Sequence, residues 1–258
     1  MGNDANDLEI WFRSHQGRLI QKWNHYFQAY EQHFSRFRNQ EVTVLEIGVA
    51  HGGSIEMWKH YFGPELRYYG VDIDPSCRMF EEPGVEIFIG SQSDPDFLRE
   101  VAAKIPDVDI LIDDGGHTMR QQHVTFEALF DKVKNGGVYL CEDLHTSYWL
   151  EYGGGHNRHG SFIETAKSLV DSLNAFHSQQ RSFGPDAYTR SITSLHFYDS
   201  MLFIEKNERT APEEEWRGEH SFASVSAPLN MATLVRNRAV REMKRMLRAV
   251  GARDFTTG

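Results

Sequence analysis

Two short stretches hold most of the residues in this chain that can do acid–base or cation chemistry. The first, Asp109-Ile110-Leu111-Ile112-Asp113-Asp114-Gly115-Gly116-His117, is an apolar run that ends abruptly in carboxylates, glycines and an imidazole. The second, Gly137-Val138-Tyr139-Leu140-Cys141, ends in the same manner in Glu142-Asp143. Buried strands of an open α/β sheet deliver chemistry in this way to the crevice at their carboxyl ends. Together the two strand ends bring Asp113, Asp114, Glu142, Asp143 and His117 into a small volume. Crowded carboxylates disfavour one another's charge, so they want a cation or a proton. A divalent metal beside His117 meets that need. The plainer alternative is that the acid pairs are strand-end caps or salt bridges. Neighbours on a strand point to opposite faces. Asp114 is therefore assigned to the metal, and Asp113 to the cofactor side or a backbone N–H. Glu142 and Asp143 can both ligate only if the chain turns there, which Leu144 onward permits.

The elements upstream must bring a second reactant. Val42 to Ile47 reads as a buried parallel strand. It runs into Gly48-Val49-Ala50-His51-Gly52-Gly53-Ser54 and then a helical pattern through Ile55, Met57, Trp58 and Tyr61. Strand, glycine turn, helix is the layout of a nucleotide-type cofactor site, with free N–H groups at the helix start. A second strand, Leu66 to Ile73, ends in Asp72, Ile73 and Asp74, where an acid would meet a ribose diol. A third, Val85 to Ile89, leads into Gly90-Ser91-Gln92-Ser93-Asp94. In that turn Ser91 and Gln92 could meet an adenine edge, whereas Ser93-Asp94 reads equally as an N-cap for a helix from Pro95 to Ile105. The G-x-G-x-x-G pattern of dinucleotide sites is broken by Ala50. Glu46 adds an anion where a pyrophosphate gains nothing, while a ligand carrying ammonium and sulfonium groups suits it. S-adenosylmethionine is the expected cofactor, in contact with Glu46, Gly48, Ala50, Ser54, Asp72, Ile73, Ser91, Gln92 and Asp113.

Residues 8–38 read as a helix, with Leu19-Ile20, Trp23, Tyr26-Phe27, Tyr30 and Phe34 forming one aromatic stripe. That stripe either packs on the sheet or brings Lys22, His25 or Tyr26 to the active site or a partner subunit. His117 to Val133 reads as a helix ended by Asn135-Gly136-Gly137. The aperiodic, glycine-rich segment 144–160 reads as a lid loop. Its Tyr148, Trp149 and Tyr152 suit stacking on a sugar or other flat acceptor, with His145 as a metal-shell or substrate contact. Ser161 to Gln179 reads as a helix. Ile192 to Phe197 and Met201 to Glu205 read as a hairpin with one antiparallel strand, as class I methyltransferase sheets end. Thr233 to Val250 reads as a basic amphipathic helix. The expected organisation is one domain over 1–258, with a helical extension 1–40, a catalytic core 41–206 and a C-terminal extension 207–258.

The chain has 258 residues and a formal charge of −10, which opposes a bulk nucleic-acid or anionic-membrane surface. No apolar run approaches the roughly 18 residues of a membrane span, and residues 1–7 lack signal-peptide features. Cys77 and Cys141 are too few for a disulfide scaffold or a thiolate zinc site. These features suggest a soluble cytoplasmic protein, possible as a homo-oligomer.

Leu45-Glu46-Ile47-Gly48-Val49-Ala50-His51-Gly52-Gly53-Ser54, Tyr69-Gly70-Val71-Asp72-Ile73-Asp74, Ile112-Asp113-Asp114-Gly115-Gly116-His117 and Glu142-Asp143-Leu144-His145-Thr146-Ser147-Tyr148-Trp149 resemble the metal-dependent sugar O-methyltransferases of macrolide biosynthesis. They also resemble the related rhamnosyl O-methyltransferase and cephalosporin hydroxylase group. The resemblance covers roughly residues 20–206. It implies a Rossmann-like α/β fold, a seven-stranded mostly parallel sheet with a terminal antiparallel hairpin and helices on both faces. It implies Mg2+ on Asp114, Glu142 and Asp143, with His117 as general base, and S-adenosylmethionine held by Glu46, Gly48 and Asp72. Gly116 stands where a serine is common in that family. The macrolide enzymes carry a further N-terminal domain that a chain of this length is too short to contain. The activity so implied is methylation of a sugar hydroxyl in a small-molecule glycoside or natural product. The alternatives are an oxygenase of the cephalosporin hydroxylase type or a non-catalytic S-adenosylmethionine-binding module.

Overall fold

The computed structural model describes residues 5–219, 221 and 243. The expected helix 233–250 lies outside them apart from Met243. The chain divides into two units, Met1–Pro212 and Glu213–Gly258, and all that follows concerns the first.

Seven strands build one sheet: β1 (Val42–Ile47), β2 (Leu66–Asp72), β3 (Val85–Ile89), β4 (Val108–Asp113), β5 (Val133–Cys141), β6 (Ile192–Tyr198) and β7 (Met201–Lys206). Their order is β3-β2-β1-β4-β5-β7-β6, parallel from β3 to β5, with β7 antiparallel to both β5 and β6. This is the expected class I methyltransferase sheet. Because β1 pairs with both β2 and β4, the strand order reverses there and the crevice opens at their carboxyl ends. Helices α1 (Asp7–Ser14), α2 (Tyr26–Phe34) and α3 (Gly53–Phe62) cover one face; α4 (Pro95–Lys104), α5 (Met119–Leu129) and α6 (Phe162–Asn174) cover the other.

Strand alternation decides which acid faces which layer. In β1, Val42 and Val44 join the core under α2 and α3, and Leu45 and Ile47 the opposite core. The same parity holds for Ile112 against Leu111 in β4 and Leu140 against Cys141 in β5. Glu46, Asp114 and Glu142, each two residues beyond such a position, share the α2–α3 side, whereas Asp113 faces α5.

Two expected elements differ. The single helix over 8–38 is broken: α1 ends at Ser14, residues 15–25 are non-helical, and α2 starts at Tyr26. Gly17 lies in this break, its Cβ position 2.3 Å from Glu56 Oε2. That carboxylate also accepts the Arg18 backbone N–H at 3.0 Å, which pulls the chain away from the helix axis. The helix expected over 117–133 runs only from Met119 to Leu129, after an N-terminal capping box of Thr118 and Gln121. Asn135-Gly136-Gly137 belongs to β5 rather than to a helix cap. Gly137 permits close strand approach there, since its Cβ position lies 2.7 Å from Asp109 O. Among the described residues no helix is long and apolar enough to cross a membrane.

Candidate active site

Two adjoining cavities open at the carboxyl ends of β1, β2, β4 and β5. One, of about 420 Å3, is lined by the segment 19–23, Ser54, Asp114, His117, Glu142 and Asp143 among others. The second, of about 250 Å3, is lined by Asp72, Ile73, Ser91, Gln92 and Gly116. Gly48, Ala50, Asp114 and Gly115 line both, so the turn after β1 and the end of β4 form their common wall.

The strand ends are laced together. Gly48 N–H donates to Val71 O at 2.8 Å, Asp114 N–H to Ile47 O at 3.0 Å, and Glu142 N–H to Asp113 O at 2.9 Å. Gly48 has φ +96°, and a Cβ there would lie 2.1 Å from Asp114 O, so only glycine fits. Asp72 shapes the next residues: its Oδ2 accepts the Val49 and Ala50 N–H groups at 2.9 and 2.8 Å. Ala50 thereby holds a left-handed φ of +48°. Of the expected cofactor contacts, Gly48, Ala50, Ser54, Asp72, Ile73, Ser91 and Gln92 line the cavities. Glu46 and Asp113 lie behind them, fully buried. Glu46 Oε2 accepts from Ser54 Oγ at 2.9 Å and from Tyr68 OH, while its Oε1 finds no partner among the described residues. Burial raises the Glu46 pKa, and Lys22 opposes that rise. Asp113 is bonded to Gln92 Nε2 and, at 3.3 Å, to Tyr139 OH; burial pushes its pKa up to about 8. Gln92 Oε1 in turn accepts the Gly116 N–H at 2.9 Å, fixing the turn that carries His117. The competing N-cap reading holds for Asp94, whose side chain accepts from Asp96 and Phe97 N–H.

Asp114, His117 and Asp143 each direct a ligand atom into one region, all within 4.8 Å of one another. His117 Nε2 lies 3.9 Å from Asp114 Oδ1 and 3.5 Å from Asp143 Oδ2. Both turns that achieve this are left-handed, with φ +57° at His117 and +55° at Asp143. His117 is thus not helical but sits just before the cap of α5. The turn at Asp143 sends that residue to His117 and leaves Glu142 pointing elsewhere. Glu142 is 1% exposed; its Oε1 accepts from Tyr30 OH at 2.7 Å and its Oε2 from Lys22 Nζ at 2.8 Å. Lys22 also donates to Asp114 Oδ2 at 2.6 Å, and Tyr26 OH to Asp143 Oδ1 at 2.7 Å. Burial pulls the Lys22 pKa down, but Asp114, Glu142 and Glu46 outweigh it and the net direction is well up, so the ammonium stays charged. Burial and the Asp114 charge raise Glu142.

The donor set fits a hard divalent cation: carboxylate oxygens beside one imidazole left free as a base, in a cluster whose charge exceeds what one ammonium neutralises. Asp114 and Asp143 would hold it, with Glu142 available once it leaves Lys22. A second group of similar composition, His33, His196 and Glu205, is satisfied by its own neighbours. Both His33 ring nitrogens are engaged, with Glu205 and Tyr198, and Arg36 binds Glu205.

Lys22, Tyr26 and Tyr30 reach the carboxylates from the N-terminal segment. Each carries a polar atom on an otherwise apolar stripe. His25 points away, its Nε2 3.0 Å from Asp199 O. The expected acceptor contacts His145, Tyr148, Trp149 and Tyr152 stand beside the cavity rather than on its wall. His145 packs on Trp149, with ring centroids 4.7 Å apart, and on Trp23 at 5.9 Å; Trp149 reaches Tyr152 at 5.7 Å. Tyr148 is half exposed. The segment 144–160 folds into two short 3-10 turns, Leu144–Tyr148 and Leu150–Tyr152.

No protein-family model matches the chain. It is 42% identical over 196 residues to the 8-demethyl-8-alpha-L-rhamnosyl tetracenomycin-C 2'-O-methyltransferase of Streptomyces olivaceus, covering 72% of this chain and 51% of that protein. It is 40% identical over 202 residues to the demethylmacrocin O-methyltransferase of Streptomyces fradiae, covering 73% and 51%. The chain therefore spans about half the length of the curated relatives it matches. Among solved structures, the MycE methyltransferase of the mycinamycin biosynthetic pathway, in complex with Mg, SAH and mycinamycin VI, superposes with a TM-score of 0.67. The identity is 32%, over 83% of this chain and 54% of that one. The chain thus has the class I methyltransferase fold and, over the half of their length that it spans, resembles the sugar O-methyltransferases of macrolide and related antibiotic biosynthesis.

Proposed function

We propose that this chain is an S-adenosylmethionine- and divalent-metal-dependent O-methyltransferase acting on a sugar hydroxyl of a small-molecule glycoside. The observation that carries the reading is the convergence of Asp114, His117 and Asp143 in the larger cavity, with Asp114 on the wall it shares with the second. A donor bound along Asp72, Ile73, Ser91 and Gln92 would lie on one side of Gly48. An acceptor between the segment 19–23 and Asp143 would lie on the other. When bound, S-adenosylmethionine supplies an already activated methyl group, and Mg2+ supplies a Lewis acid that lowers the pKa of a hydroxyl and fixes its direction.

The chain's own residues do the rest. A sugar hydroxyl becomes a good nucleophile only as it loses its proton, and His117 is the group placed to receive it. Asp143, 3.5 Å from His117 Nε2, is placed to accept a hydrogen bond from the ring once it carries that proton. Thr146 Oγ1 donates to His117 O at 2.9 Å and holds the left-handed turn that carries the imidazole. Glu46, buried behind Ser54 with one unpartnered oxygen, suits a cationic part of the donor. The single-domain organisation over 1–258, a cytoplasmic location and a small-molecule partner belong to this same reading.

Calorimetry with S-adenosylmethionine, and methylation of a glycoside panel read by product-ion mass spectrometry, test it. EDTA should abolish transfer, and His117→Ala should lower it about 100- to 10,000-fold. Transfer that survives both changes would end the metal-plus-base assignment. Cofactor binding without methylation of any glycoside would favour a binding module instead.

A further inference from the structure

The segment 15–25 connects α1 to α2 without helix, and it does so across the mouth of the larger cavity. It is seated on the start of α3: the Cβ position of Gly53 would lie 2.5 Å from Leu19 O and 2.7 Å from Arg18 O. Glu56 accepts the Arg18 backbone N–H, and His15 Nε2 lies 2.8 Å from Arg18 O. Leu19 and Trp23 nonetheless remain 67% and 50% exposed, so its outer edge has no core to keep it down. On its inner edge Ile20 packs on the core under α2 and α3, Arg18 lies over Phe80, and the polar latch is the Lys22 ammonium, 3% exposed and on both Asp114 Oδ2 and Glu142 Oε2.

We propose that Lys22 is a tethered cation that exchanges with the divalent ion, so that loading the metal releases the strap 15–25 which walls the acceptor cavity. This rests on the reading of Asp114, Glu142 and Asp143 as the metal carboxylates. The argument is one of geometry and charge. Both Glu142 oxygens are engaged, Oε2 by the Lys22 ammonium and Oε1 by Tyr30 OH, so a dication that Asp114, Glu142 and Asp143 bind together competes directly with that ammonium. An ammonium 2.6 Å from Asp114 Oδ2 would also stand within a few ångströms of a dication on the same carboxylate. Like charges so placed, away from solvent, repel strongly. The lysine stem is long and unbranched, and the cavity beside it is open, so the ammonium can leave for water without unfolding α2.

Exchange also fits the order of events that the site needs. The strap's inner edge and the acceptor occupy the same cavity wall, and Lys22 lies between Gln21 and Trp23 on that wall. A strap latched by Lys22 narrows the acceptor side until the metal that activates the acceptor is present. Lys22 is on this account a positioning residue: it acts on the acceptor through the strap and through the carboxylates.

The test compares Mg2+ and Mn2+ affinity in the unaltered chain and in Lys22→Met, by calorimetry and by Mn2+ electron paramagnetic resonance. Exchange predicts metal binding tighter by roughly tenfold or more in the variant. Unchanged or weaker binding would mean that Lys22 supports the metal-bound carboxylates and would overturn the proposal. A second measurement needs no variant: trypsin cleavage of the Lys22–Trp23 bond in the unaltered protein, followed by mass spectrometry. Release predicts faster cleavage at saturating Mg2+. Tighter binding in the variant without faster cleavage would reduce the effect to charge repulsion and overturn the release of the strap. Metal binding by neither protein would sink the metal reading itself, a result distinct from binding that ignores Lys22.

Discussion

Replacing Gly48 with alanine tests whether the cofactor turn and the metal carboxylates are one mechanical unit. Gly48 has φ +96°, and its Cβ position lies 2.1 Å from Asp114 O and 2.9 Å from Gly115 Cα. Both opposing atoms are backbone, so neither can swing aside; the ends of β1 and β4 have to part. Two costs add. A left-handed conformation costs an L-residue about 1–2 kcal/mol, and atoms forced into a filled space cost typically about 1–3 kcal/mol. The sum is about 2–5 kcal/mol. Gly136 separates the two, because its φ is +82° but its Cβ position meets nothing within 4 Å among the described residues. In urea unfolding, Gly136→Ala should lose only the first cost, and Gly48→Ala about 1–3 kcal/mol more. Moving Asp114 O also moves the carboxylate that faces His117. Calorimetry should therefore show weaker binding of both S-adenosylmethionine and Mg2+ in Gly48→Ala and neither loss in Gly136→Ala. Equal destabilisation of the two variants would refute the steric argument. A destabilised Gly48→Ala with unaltered binding would refute the mechanical coupling.

Asp113 carries a pH dependence. Burial raises its pKa from 3.8 to about 8, so between those values the folded chain holds a proton that the unfolded chain releases. Its contribution is therefore full at low pH and is lost as pH rises through about 8, on a slope near 1.4 kcal/mol per pH unit. Asp113→Asn keeps an acceptor for Gln92 and should remove that slope from denaturation curves taken between pH 5 and 8. An unaltered slope would show that the proton resides elsewhere. Tyr26→Phe deletes the 2.7 Å bond to Asp143 and should cost about 1 kcal/mol of stability, with a larger fall in kcat than rise in KM. A pure KM effect would place Tyr26 in acceptor binding. Glu46→Gln keeps a side-chain oxygen for Ser54 and Tyr68 but removes the buried charge, so S-adenosylmethionine should bind about tenfold or more weakly. Equal affinity by calorimetry would remove Glu46 from donor recognition.

The sheet was legible because its signals are local and periodic. The strands β1, β3 and the β6–β7 hairpin announce themselves as apolar runs between turn residues. Alternation along β1, β4 and β5, combined with their parallel register, then puts Glu46, Asp114 and Glu142 on one face. The division of Asp113 from Asp114 followed from the same period of two. Where a side chain's task depends on a turn, less could be read. The left-handed residues His117 and Asp143 decide which acids meet the imidazole, and nothing in a non-glycine residue advertises φ near +57°. Long range is harder still. Lys22 meets carboxylates 92 and 120 residues away, from a non-helical segment where periodicity alone would continue a helix. The aromatic spacing from Leu19 to Phe34 is helical, yet Leu19 and Trp23 are exposed while Tyr26, Phe27, Tyr30 and Phe34 are buried. One polar residue was nevertheless out of place in that stripe. An ammonium next to a row of aromatics, in a chain whose strand ends carry surplus carboxylates, has few buried sites that can hold it. Charge balance in a low-dielectric cluster points to the carboxylates as its partner before any contact is seen. A lysine on an apolar stripe is thus best matched against the uncompensated acids of the same chain, whatever their separation in sequence.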